Sequence, residues 1–109
     1  MDVHERLATY GTLSPGRSNH GQLAGLKGRW LKGVVKGHVA RIVRGPARGY
    51  PGLTLDDHGP KVAVHLFEST DLPSHWARLD AFEGEGYRRV AVRVRTATGV
   101  LAAFIYVVA

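Results

Sequence analysis

The chain has 109 residues, which suits one domain with a single modest core and is too short for two. It contains no cysteine, so disulfides, thiolate catalysis and cysteine metal sites are excluded. A formal charge of +6 favours acidic partners, but the basic residues are scattered with no block of five like charges, so no nucleic-acid-binding arm is expected.

In chain order, "MDVHERLATY" is charged from its second residue, and no signal peptide is expected there. Arg6 to Tyr10 forms a short strand that runs into "GTLSPGRSNHG", a loop dense in Gly, Ser, Pro and Asn. A short helical turn is placed around His20 to Leu26. "GRWLKGVVKGHVARIV" is rich in β-branched residues and gives one or two strands, bent at Gly33 and Gly37. A long loop follows, with an extended piece from Gly52 to Asp56. "KVAVHLFES" alternates, Val62, Val64 and Leu66 opposite Ala63, His65 and Phe67, and is a strand.

"TDLPSHWARLDAF" is the one main helix. Thr70 or Asp71 can cap it, Pro73 suits its first turn, and Trp76, Leu79 and Phe82 are expected to bury one face. Gly84 and Gly86 end it. "YRRVAVRVRTATGVLAAFIYVV" predicts a hairpin with Val90, Val92 and Val94 inward and its turn near Ala97 to Gly99. The apolar run "VLAAFIYVVA" is about half the length of a membrane span. A cytoplasmic protein without a membrane segment is therefore expected, as one domain over residues 1–109. Many short glycine-bent strands with one helix predict a small, mainly β barrel or strongly curved sheet; too few helices exist for a parallel α/β fold.

Three groups of residues could carry chemistry. The histidines, His4, His20, His38, His58, His65 and His75, are spread out with no HxxxH, so they are assigned to surface and loops and no metal site is expected. "YGTLSPG" lacks the GK[ST] ending of a P-loop, but a strand that breaks into a glycine turn can present consecutive N–H groups as a nest for a carboxylate or oxyanion. Ser14 and Ser18 have no nearby partner that would make either a nucleophile.

The third candidate is Glu83. A glutamate after a helix is ordinarily solvated, but Phe82 before it places Glu83 at the rim of the core. The negative end of the helix dipole and partial burial both disfavour its charged form and raise its pKa, as a general base near neutrality requires. Asp80 is placed on the exposed helix face, and Glu85, between two glycines, in solvent.

"YGTL" at residues 10–13 with Asn19 after it, "YPGL" at 50–53 and "LDAFEGEGYRR" at 79–89 resemble, in the same order, the landmarks of the gamma-glutamylcyclotransferase-like (AIG2-like) family. The chain's length resembles that of short, gamma-glutamylamine cyclotransferase-type members. The resemblance implies an α+β fold: a small mixed, mainly antiparallel β-barrel with one main helix and short helical turns. It implies an enzyme that needs no cofactor and converts a γ-glutamyl amine or γ-glutamyl amino acid to 5-oxoproline, with Glu83 as catalytic acid/base. Tyr10, Gly11, Thr12 and Leu13 would bind the glutamyl moiety largely through backbone groups, and Tyr87 would shape the pocket. Of Arg88 and Arg89, one is expected to face the pocket and attract the substrate carboxylate. The chain departs from the family pattern at Ala8 and Thr9, where large apolar residues are usual, and at Val64, where a glycine is usual; these bear on cavity size. The competing class is a non-catalytic module of the same fold that binds an acidic ligand or protein partner.

Overall fold

A computed structural model describes residues 1–109. Six strands form: β1 (Arg6–Thr9), β2 (Arg29–Arg41), β3 (Pro51–Leu55), β4 (Lys61–Glu68), β5 (Tyr87–Thr96) and β6 (Gly99–Val108). Their order is β3-β2-β4-β1-β6-β5, and β5 pairs back onto β2, so five strands close into a barrel with β3 added outside. All neighbours are antiparallel except β1 and β6, which run parallel through Leu7–Phe104 and Ala8–Ile105.

Glycine shapes the closure. β2 meets β5 only at Gly33–Thr96 and Val34–Arg95. A Cβ on Gly33 would collide with the Val94 side chain, so the approach of the two strands requires glycine there. At Gly37 the strand exchanges partners, pairing with β4 up to Lys36 and with β3 from Gly37 onward. The two expected bends thus lie within one continuous strand, at its closure point and its partner switch.

Two cores explain the apolar pattern. One cluster, inside the barrel apart from Leu53 of β3, joins Ala8, Val35, Leu53, Val64, Leu66, Val94, Ala103, Ile105 and Val107. Between barrel and helices lie Leu7, Leu13, Leu23, Phe67, Leu72, Trp76, Leu79 and Tyr106. Adjacent residues of β1, β4 and β6 enter opposite cores, because side chains alternate across a strand. The continuous apolar run of β6 is therefore a strand covered on both faces. No helix is long and apolar enough to cross a membrane.

Two expectations about the helix are corrected. The segment divides into a 3-10 turn at Leu72–Ser74 and helix α2 at Trp76–Glu83; the short α1 is Gly21–Ala24. Asp71 does not cap α2, because its carboxylate accepts the Lys27 N–H at 2.9 Å instead. Trp76 and Leu79 are buried as expected, but Phe82 is 39% exposed. Residues spaced by three advance by 300° on a helix, so six positions leave Phe82 about 120° away from Trp76 and off the buried stripe. Gly84, at φ +77° and ψ −169°, takes a positive-φ conformation that favours glycine, and it ends α2 just after Glu83.

Candidate active site

Strand β1 delivers the chain into the loop Tyr10–Leu13, one wall of a cavity of about 300 Å³. The loop's carbonyls are engaged by the protein. Gly11 O accepts from Ser14 N at 3.0 Å, Thr12 O from Asn19 N at 2.9 Å, and Leu13 O contacts His20 Nδ1 at 3.2 Å. The amides of Gly11, Thr12 and Leu13 donate to no protein acceptor. Beneath the loop, Ser14 Oγ donates to Thr9 Oγ1 at 2.9 Å, and Thr9 Oγ1 donates to His65 O at 3.2 Å, both hydroxyls being buried. Ser14 is thus a tether between loop and strand.

Tyr10 turns into the barrel. Its hydroxyl donates to Tyr106 O at 2.7 Å and accepts from Leu53 N at 3.0 Å, joining the loop to β6 and β3. Burial pushes its pKa upward. Tyr10→Phe is expected to leave both backbone groups unpartnered and to cost about 1–3 kcal/mol, measured by urea denaturation; unchanged stability would contradict this role.

Across the cavity stands Glu83, the last residue of α2. No protein group donates a hydrogen bond to its carboxylate, and burial alone pushes its pKa to about 7. The expected rise is present, and its cause is desolvation. Tyr87 at the start of β5 lines the same cavity and donates to Pro51 O at 2.7 Å. Burial, with the Glu83 charge as a smaller contribution, pushes the Tyr87 hydroxyl up to about 12. Glu83, Tyr10, Gly11, Thr12, Leu13 and Tyr87 thus meet around one cavity, which Asn19 also lines.

One neighbouring expectation, that Arg88 or Arg89 faces the cavity, is overturned, and another is extended. Asp80 lies on the exposed helix face as expected, and there it accepts from Arg89 Nε at 2.9 Å and from the Tyr106 hydroxyl at 2.7 Å. Arg89 holds the Asp80 carboxyl below its usual range and stacks over Trp76 and Phe104, at 4.5 and 4.4 Å from their ring centres. This network ties α2 to β5 and β6 and fixes the helix turn that carries Glu83. Neither Arg88 nor Arg89 belongs to the cavity wall. Ala8 and Thr9 do line it, and it remains open; Val64 lies in the barrel core.

A family model described as "Gamma-glutamyl cyclotransferase, AIG2-like" matches residues 7–109. The chain belongs to this gamma-glutamyl cyclotransferase, AIG2-like family. Among solved structures it is similar to YkqA from Bacillus subtilis, with 28% identity and a TM-score of 0.73 over 95% of this chain and 35% of YkqA. The chain therefore spans about a third of that relative's length. PH0828 from Pyrococcus horikoshii matches at 25% identity and a TM-score of 0.64, covering 94% of this chain and 76% of that one. An AIG2-like protein from Mus musculus shares the fold, with 22% identity and a TM-score of 0.71 over 96% and 77% of the two chains. No curated protein sequence matches.

For this AIG2-like chain, several cavity residues were not anticipated: Pro46, Ala47, Tyr50, Pro51, Phe82 and Tyr106. Tyr50 and Pro51 belong to the "YPGL" landmark, which was a signal available in the sequence. Tyr106 sits in an apolar strand whose pattern marks it only as core.

Proposed function

We propose that the protein is a γ-glutamyl cyclotransferase that releases 5-oxoproline and an amine from a γ-glutamyl amine or γ-glutamyl amino acid. The observation that carries this reading is Glu83: a partly buried carboxylate with no protein hydrogen-bond donor and a pKa near 7, in a cavity shared with the unpartnered amides of Gly11–Leu13.

Glu83 takes a proton from the substrate α-ammonium, and the freed amine attacks its own γ-carbonyl carbon. A five-membered ring forms through a tetrahedral oxyanion, which the Gly11–Leu13 amides stabilise; one such donor contributes about 3–4 kcal/mol. The bond to the leaving nitrogen breaks as Glu83 returns its proton to that nitrogen; the regenerated carboxylate then takes the second proton from the ring nitrogen, which leaves the neutral lactam of 5-oxoproline, and passes it to the departing amine. Nucleophile and electrophile belong to one molecule, so the cavity's main task is to hold the folded conformer, worth on the order of 7–11 kcal/mol in favourable systems.

Incubation with γ-glutamyl amines, γ-glutamyl dipeptides, γ-glutamyl-ε-lysine and glutathione, with 5-oxoproline as readout, tests the reaction. The base must be ionised, so kcat/KM is expected to rise about tenfold per pH unit below 7 and to level off above it. A flat profile between pH 5 and 7 argues against Glu83 as the base.

A further inference from the structure

Glu83 is the one charged side chain in the cavity wall; no lysine, arginine or histidine belongs to it, although the chain has 15 Lys and Arg residues. The exposed wall residues with side chains that form the mouth are Pro46, Tyr50 and Phe82. Tyr50 is 50% and Phe82 39% exposed, so two aromatic rings stand at one opening. Arg17, Arg44 and Arg48 lie in the flanking loops but are exposed and outside the wall, where water and salt screen them.

This composition limits what can be bound. An anionic group inside finds only neutral donors: the amides of Gly11–Leu13 and the side chains of Thr12 and Asn19. With the amides turned to the reacting oxyanion, the Thr12 and Asn19 side chains leave donors for one small anionic head, the α-carboxylate of a glutamyl group. A second carboxylate, carried by the leaving group toward the mouth, would meet an apolar surface and the Glu83 charge. Where the aromatic rings displace its water, the wall holds no cation to pair with it.

We propose that Pro46, Tyr50 and Phe82 form the leaving-group subsite. The substrates are then γ-glutamyl amides of apolar, especially aromatic, amines that lack a carboxylate, rather than γ-glutamyl amino acids or peptides. The inference rests on the cyclotransferase reading above. An aromatic amine packs its ring against Tyr50 and Phe82 and leaves no ion unpaired, so selectivity comes from repulsion of the carboxylate as well as from attraction of the ring.

The test compares γ-glutamylphenethylamine with γ-glutamylphenylalanine, which differ by one carboxylate, using the full chain and 5-oxoproline as readout. The expected kcat/KM is at least tenfold higher for the amine. Equal values, or a preference for the amino acid, overturn the subsite while leaving the cyclotransferase reaction in place. Tyr50→Arg, which adds a cation at the mouth, is expected to narrow the ratio at least threefold; an unchanged ratio also overturns the proposal. Calorimetric binding of both ligands to Glu83→Gln separates the two readings if neither is turned over. Tenfold tighter binding of the amine then supports the subsite without the reaction, and equal or undetectable binding of both overturns it.

Discussion

Glu83→Gln is expected to lower kcat/KM for 5-oxoproline formation by roughly 10²–10⁴-fold, the usual contribution of a general acid/base, and to stabilise the fold above pH 7. The first effect follows because glutamine cannot accept the α-ammonium proton. The second follows from linkage. Burial raises the Glu83 pKa from 4.5 to about 7 in the folded protein. Folding therefore gains stability from the bound proton below pH 4.5, and that gain is lost as pH rises through 7. Above pH 7 the wild-type chain carries a desolvated charge that glutamine does not. The difference is on the order of 1–2 kcal/mol once solvent access to the carboxylate is discounted. Urea denaturation at pH 5 and pH 8, beside the 5-oxoproline assay, reads both effects on one variant. An active glutamine variant would sink the catalytic assignment. An inactive variant with no gain at pH 8 would place the carboxylate in water, and its pKa could not then serve a base near neutrality.

The placement of Glu83 at the cavity was legible in the sequence for a local reason. A carboxylate at a helix C-terminus beside glycine is a local conflict, and local conflicts are where sequence patterns expose function. Gly84 resolves the backbone part by turning to positive φ directly after Glu83. The Tyr10–Leu13 loop was legible for a similar reason, since a glycine turn leaving a strand frees consecutive amides regardless of the rest of the fold. The cavity mouth was not. Pro46 and Tyr50, from the segment between β2 and β3, line one cavity with Phe82 of α2, a placement that long-range pairing sets and local sequence does not. Phe82 itself was assigned to the core because spacing by three was extended one step beyond what helical rotation allows. For Arg88 and Arg89, alternation separated the two side chains, but it could not reveal that Arg89 is held by Asp80 between Trp76 and Phe104.

Glu68 carries the largest expected effect on stability. It is 4% exposed at the end of β4 and accepts from Arg6 Nε at 2.8 Å and Arg29 Nε at 2.7 Å, so one carboxylate joins β1, β4 and β2. The Arg6 side chain is 11% exposed, whereas that of Arg29 is 72% exposed. Glu68→Ala leaves the Arg6 cation nearly buried and without its charged partner, with only the Ala102 carbonyl still accepting from it, a loss of about 3–5 kcal/mol. In a domain of this size that corresponds to a fall in Tm on the order of 15 °C. Arg29→Ala is expected to cost about 1 kcal/mol or less, because the pair it breaks is open to solvent on the arginine side. The Arg6 bond, more than burial opposes it, holds the Glu68 carboxyl below its usual range. The stability it adds is therefore present above pH 4.5 and is lost as pH falls through the lower folded value. Thermal melts of the two variants from pH 7 down to pH 3 check both points: the Glu68→Ala deficit should shrink with acidification. Similar costs for the two variants would mean that the clamp is a surface feature. The consequence reaches the cavity, because β1 is only four residues long and runs directly into Tyr10–Leu13. With so short a strand, the position of the unpartnered amides depends on how firmly Arg6 is held at its other end.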